Sequence, residues 1–279
     1  MNCMQSENTS NADNQQGSPL VNISYDPSET TRRIPHINNH FAILLGILFT
    51  DRCVSPKGSS WRIYLAVTSK ELVTVFKESI IRVFNIPEHR VLMGLTKDGL
   101  EKAVVNSKEI GDYLFARFGT FRTLDFRDGT KTKARLPISE LLSSGHASDF
   151  LRVAFSCDGG ISLYVAHRNG VRKKTLWLIR TVFLACSHKK LRSDYLTLLK
   201  FFHIHAREVP RDGKIKIETE GDIRRFYEKL GFLEDVEITR HSKFWLGYTK
   251  QQVLRLTINS YRNPASIYSR KKFAKKVMI

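Results

Sequence analysis

The run Phe41-Ala-Ile-Leu-Leu-Gly-Ile-Leu-Phe-Thr-Asp51 constrains this chain most: nine apolar residues, counting Gly46, then a threonine and a carboxylate. As a helix it is apolar on every side, so it belongs inside the protein. Glycine within a helix costs about 1 kcal/mol against alanine, so Gly46 predicts close approach of another backbone. Asp51 falls at the C-terminal end, where the helix dipole is negative and a carboxylate has the wrong sign. Something positive, such as a metal ion, belongs beside it.

The pattern returns as Phe150-Leu-Arg-Val-Ala-Phe-Ser-Cys-Asp158-Gly159. An alternating run, Trp61 to Thr68, follows the first acid. Ser69-Lys70-Glu71-Leu72 and a helical pattern ending at Ile86 come next. Two strand-like runs follow the second acid, then His188-Lys189-Lys190-Leu191 and a helix ending at Ile204. Val104–Tyr113 pairs with Ile215–Arg224. The chain is an internal duplication of one αββαββα unit, with a period too long for a solenoid. Within the first repeat, Lys77–Val83 has helical periodicity, Arg90–Leu95 and Ala103–Val105 read as short strands, and Glu109–Phe118 as a closing helix. The expected layout is a disordered segment 1–33, a first unit 34–119, a linker 120–145, a second unit 146–262 and a basic tail 263–279.

Taken together, Leu44-Leu-Gly-Ile-Leu-Phe-Thr-Asp-Arg52 and Leu151-Arg-Val-Ala-Phe-Ser-Cys-Asp-Gly159 resemble the two motifs of single-chain LAGLIDADG homing endonucleases of the archaeal intron-encoded kind. Arg135-Leu-Pro-Ile resembles the family's approach to its second helix, and Lys243–Lys250 a segment such proteins carry. The resemblance implies an α+β fold: two pseudo-symmetric units packed through their motif helices, with antiparallel DNA-binding sheets. It implies a site-specific double-strand DNA endonuclease using Mg2+ or Mn2+ and leaving 3′ overhangs. Its partner is a long, nearly asymmetric duplex, and the duplication predicts a monomer, since one chain supplies both acids.

The chemistry agrees with the residues. Divalent ions can activate water, neutralise phosphate charge and stabilise a leaving oxygen, and hard cations prefer oxygen ligands. Two helices packed through small residues bring Asp51 and Asp158 together, and the Thr50 and Cys157 carbonyls at the helix ends are further ligands. Lys70 and Lys189 hold matching places after the second strand of each unit. The family resemblance sets a lysine or glutamine there beside the metal-bound water, where it can stabilise phosphorane-like charge.

Three departures from the family pattern matter. Arg52 stands where glycine closes the first motif, Val153 where a small residue lines the helix seam, and Phe49 and Ser156 where an inner acid varies. Val153 is expected to push the helices apart unless Ala154 compensates.

Composition points the same way. The net charge is +18, and residues 1–31 contain no Lys or Arg, so the remainder is more basic still; such a balance favours a polyanion. Alternation places Trp61, Ile63, Leu65 and Val67 on a core face, leaving Arg62, Tyr64, Ala66 and Thr68 for a DNA groove. The segment Arg168-Asn-Gly-Val-Arg172-Lys173-Lys174 reads as a basic hairpin tip suited to phosphate contact. The four cysteines have no paired spacing, so free thiols in a reducing, intracellular compartment (cytoplasm, nucleoid or organelle) are expected. No apolar run reaches the roughly 20 residues a membrane span requires, and no membrane partner is expected. An RNA-binding intron maturase and a cleavage-inactive DNA-binding protein of the same fold remain alternatives.

Overall fold

The computed structural model describes residues 35–51, 54–121, 133–169, 174–238, 242, 244–265 and 267; the side chains of 51, 167–169 and 174–176 are outside that set. The N-terminal segment 1–33, Arg52, Cys53, most of the linker, Arg172 and Lys173 of the hairpin tip, and 268–279 of the basic tail also lie outside the described residues.

The apolar run forms α1 (Asn39–Asp51), started by Asn38, whose side-chain oxygen accepts the Phe41 N–H at 2.9 Å. It continues into β1 (Val54–Lys57) and β2 (Ser60–Val67), then α2 (Lys70–Phe84), β3 (Leu92–Leu95), β4 (Glu101–Asn106) and α3 (Lys108–Phe118). After a short α4 (Ile138–Ser143), the order repeats. It runs α5 (Ala147–Asp158), β5 (Gly159–Asn169), β6 (Lys174–Ala185), α6 (Lys189–Phe201), β7 (Arg207–Val209), β8 (Lys214–Ile217) and α7 (Glu220–Lys229). A last helix, α8 (Lys250–Arg262), follows. The two four-stranded sheets have the same order, β1-β2-β4-β3 and β5-β6-β8-β7, with every neighbouring pair antiparallel. The expected αββαββα duplication is therefore present in both halves.

Alternation decides which face is covered. Ile63 and Leu65 pair with Val105 and Ala103, and all four are buried. In the second sheet Val182 and Leu184 pair with Ile217 and Ile215, again all buried. The motif helices fill the space between these faces, and Phe41, Leu44, Leu45, Ile47 and Leu48 have no exposed surface.

Two boundaries differ from the periodicity. α2 begins at Lys70, seven residues before its apolar pattern becomes regular, because the Ser69 hydroxyl accepts the Leu72 N–H and caps the first turn. The linker contains α4, held by the Arg117–Glu140 ion pair at 2.5 Å. Arg117 also donates to the Pro35 carbonyl at 2.6 Å, so one guanidinium ties α3 to the entry of α1 and to the linker. Further on, Asp194 of α6 accepts both Arg135 donors, Nε at 2.9 Å and Nη2 at 2.8 Å, and the Leu136 N–H at 3.0 Å. The linker thus reaches α5 along a defined path.

Candidate active site and nucleic-acid interface

The seam between α1 and α5 is built on Gly46. A Cβ there would stand 2.8 Å from the Phe150 carbonyl oxygen and 3.4 Å from both Cβ and Cγ1 of Val153. Val153, expected to push the helices apart unless Ala154 compensated, packs where Gly46 lacks a side chain. Phe49 packs on Phe121 and Phe150, with ring centroids 4.7 and 6.5 Å away. The Thr50 hydroxyl donates back to the Gly46 and Ile47 carbonyls at 2.9 and 3.0 Å, leaving its own carbonyl at the helix end.

Each helix ends on its acid, Asp51 or Asp158, and the chain enters its sheet next. At Gly159 the transition is immediate: a Cβ there would lie 2.4 Å from the Phe155 carbonyl and 2.9 Å from the Phe183 carbonyl. Two repeats of one topology, joined through motif helices that meet at a glycine and end in matched acids, decide the architecture. This is the LAGLIDADG homing-endonuclease fold.

The LAGLIDADG meganuclease I-AabMI bound to uncleaved DNA is similar to this chain at 11% identity, covering 86% of this chain and 98% of that one, with a TM-score of 0.49. The homing endonuclease I-WcaI bound to its DNA recognition sequence is similar at 15% identity over 81% of this chain and 96% of its own, with a TM-score of 0.44. The N-terminal LAGLIDADG domain of DUF199/WhiA is similar at 15% identity, 73% and 87% coverage and a TM-score of 0.40. No family model and no curated protein matches the sequence. With scores in this range, the fold assignment rests on the repeat and its seam.

The end of α5 carries a cation that sequence reasoning did not single out. The Lys250 ammonium donates to the carbonyls of Ser156 at 2.6 Å, Cys157 at 3.3 Å and Gly159 at 2.7 Å. A positive charge is favourable at this negative end of the helix dipole. The expectation of a positive partner was made for Asp51 on the first motif helix; Lys250 stands at the end of the second. Lys250 is the first residue of α8, fixed by the Thr249–Gln252 capping box and by its own N–H to the Val236 carbonyl at 2.9 Å. The signal in the sequence was Thr249-Lys-Gln-Gln252, a cap with a lysine inside it.

Tyr195 of α6 is fully buried, stacks on Phe150 with centroids 6.0 Å apart, and its hydroxyl has no hydrogen-bond partner among the described residues. Burial drives its pKa well above the ordinary range, helped by Cys186, Asp158, Cys157 and Asp194. It is a neutral hydroxyl within the electrostatic reach of Asp158.

Lys70 and Lys189 occupy equivalent first-turn positions of α2 and α6, behind the N-caps Ser69 and His188. Both are exposed. A lysine at a positive helix end gains nothing from the dipole. Lys70, Thr68, Ser69 and Glu71 line a cleft of about 550 Å³ whose other walls include Asp98, Asp235, Glu237 and Leu246. Thr68, expected on the sheet face, lies just beyond β2 and belongs to this cleft.

The faces of the sheets turned away from the helices differ in chemistry. On the first, Arg62 lies 4.8 Å over the Tyr64 ring, and the matched row across the strands is Tyr64–Val104–Leu92. On the second, the equivalent row is Phe183–Lys216–Arg207, with the Lys214 ammonium 5.0 Å from the Phe183 ring centroid. Tyr164 and Trp177 are exposed on this face, 52% and 49%. Lys214, Lys216, Arg207 and Trp177 were not selected from sequence, although Lys214-Ile-Lys-Ile217 has the alternation that signals a basic face. The backbones of Arg168 and Lys174 pair within the long hairpin, at opposite Thr175 and Asn169.

Asp51, Asp158 and the carbonyls of Thr50 and Cys157 offer oxygen donors alone, the kind a hard divalent cation such as magnesium or manganese takes, and the Asp51 side chain itself lies outside the described set. The Cys157 carbonyl already accepts from Lys250, so that cation would share its oxygen. Among the described residues, no group of three or more His, Cys, Asp or Glu side chains converges. Any ion here would depend on main-chain oxygens, water and phosphate alongside the acids.

Proposed function

We propose that this chain is a site-specific double-strand DNA endonuclease of the homing type, dependent on Mg2+ or Mn2+ and leaving 3′ overhangs. The observation that carries this reading is the pairing of two acid-terminated motif helices with two open sheet faces bearing aromatic and basic side chains. In this reading the units 34–119 and 146–262 each serve one strand of an intron-associated target, and the chain acts as a monomer.

Asp51 and Asp158 would hold the metal, with the Thr50 and Cys157 carbonyls as further oxygens. When bound, the ion supplies charge neutralisation and an activated water. The rest falls to the chain's own groups. Lys250 holds the α5 carbonyls and keeps positive potential beside Asp158. Lys70 and Lys189 offer ammonium donors to charge developing on the phosphate. The Tyr195 hydroxyl, held neutral by burial, is available as a donor near Asp158. Arg62 and Tyr64, with Arg168, Arg172, Lys173 and Lys174, contact the duplex, the basic residues through phosphates.

A cleavage selection on a randomised duplex library with magnesium tests the proposal. Cut molecules converging on one long site support it. Tight, salt-sensitive binding without cutting identifies a cleavage-inactive binding protein, and intron RNA bound in preference to duplex identifies a maturase.

A further inference from the structure

We propose that the duplex read by this chain is lopsided about its cut, with the longer half under the β5–β6 hairpin and the shorter half under β1–β2. The proposal rests on the endonuclease reading and adds the geometry of its target.

The two hairpins extend unequally beyond their sheets. Among the described residues β1 and β2 pair from Val54↔Ile63 to Lys57↔Ser60, and β2 projects two residues, Ser60 and Trp61, past its last pairing with β4 at Arg62. β5 and β6 pair from Gly159↔Leu184 to Asn169↔Lys174, and β6 projects eight residues, Lys174 to Thr181, past its last pairing with β8 at Val182. With a strand rise of about 3.3 Å per residue, the projections are about 7 and about 26 Å. The excess of roughly 20 Å corresponds to about six base pairs at about 3.4 Å each.

The longer hairpin is braced. Leu163 and Val165 of β5 form a separate small core with Trp245, Val253 and Ile267, and the Trp245 indole N–H donates to the Leu163 carbonyl at 3.0 Å. Among the described side chains of β5 this packing reaches Val165. On the opposite face, Tyr164 and Trp177 occupy adjacent rows, Tyr164↔Ile179 and Ala166↔Trp177. Two large rings half exposed on a braced ribbon of a chain with net charge +18 make a surface that a duplex would cover.

The test compares the cut-site map of the full chain with that of a variant in which residues 167–176 are replaced by Asn-Gly. This two-residue turn closes the hairpin at Ala166 and Trp177 and keeps the Leu163 and Val165 packing. The full chain is expected to specify about five to seven more base pairs on one side of the cut than the other. The shortened variant, three paired rows shorter, should lose about three of those outer positions, on that side alone, with the cut position unchanged. Equal halves for the full chain, or a loss on both sides in the variant, would overturn the proposal. Should the variant not fold, a photocrosslinker at Trp177 is compared with one at Pro56 in the full chain. Crosslinks farther from the cut for Trp177 support the proposal; equal distances refute it. A full chain that neither binds nor cuts any duplex overturns the endonuclease reading itself, a result distinct from a symmetric map.

Discussion

Gly46 and Val153 are partners across the seam: the valine occupies the space that a side chain on the glycine would need, 3.4 Å from the position of its Cβ. A departure from the expected small residue on one helix is absorbed by the glycine on the other. The harder limit is the Phe150 carbonyl, 2.8 Å from the same point, because backbone cannot turn aside as a side chain can.

Gly46→Ala therefore brings opposing effects. Helix propensity favours alanine by about 1 kcal/mol, while overpacking a tight seam costs about 1–3 kcal/mol, and the backbone clash puts the cost at the upper end. Net destabilisation of about 1–2 kcal/mol is expected from urea midpoints. Adding Val153→Ala should not restore stability, since the Phe150 oxygen remains.

Lys250→Met keeps the side-chain length and removes the ammonium from three carbonyls. Hydrogen bonds to a charged donor contribute about 1.5–3 kcal/mol when they are not replaced, and water can reach this partly exposed site, so a loss of about 2 kcal/mol is expected. Lys250→Arg should recover part of it. If Lys250 also serves the reaction, DNA cutting by the Met variant will fall further than its thermal melt explains, whereas a purely structural role leaves cutting intact below the melting range.

Tyr195→Phe removes a buried hydroxyl that has no partner among the described residues. Burying an unsatisfied polar group costs about 1–3 kcal/mol, so the variant should be as stable as the parent or more so. Reduced cutting by a stabilised Phe variant would mark the hydroxyl as functional. A destabilised variant would contradict the unpaired state of that group.

Asp222 gives the fold a defined acid limit. Burial raises its pKa, but hydrogen bonds from the Thr219 hydroxyl, the His205 N–H and Arg225 outweigh this and hold it at about 2. The unfolded chain has the ordinary value near 4, so it binds the proton more readily than the fold. This contribution, about 2 kcal/mol, is complete above pH about 4 and is lost as pH falls through about 2. Chemical denaturation between those values should show it, and Asp222→Asn should flatten the slope in that window.

Much of the architecture was legible because it follows from local pattern and repetition. The all-round apolar character of Phe41–Phe49 implied burial, Gly46 implied a close neighbour, and alternation in Trp61–Val67 assigned the two faces of β2. Lys70 and Lys189 were found by repeat alignment, and both begin helices. The role of Lys250 was hidden because its partners lie over ninety residues away in sequence and are carbonyl groups, which leave no trace in side-chain pattern. The anchored path of the linker was hidden for a related reason: Arg135 and Asp194 are joined only by tertiary folding. The end of the second hairpin was legible, because Arg168–Lys174 read as its tip and the pairing runs out to Asn169↔Lys174.

The most direct measurement uses a plasmid carrying the selected site, incubated with the full chain or with Asp158→Asn, in magnesium and again in excess chelator. The account predicts linear product from the full chain in magnesium only, and from Asp158→Asn a bound but uncut plasmid with undiminished affinity. Linearisation by Asp158→Asn at the parent rate, or cutting that persists in chelator, would contradict it.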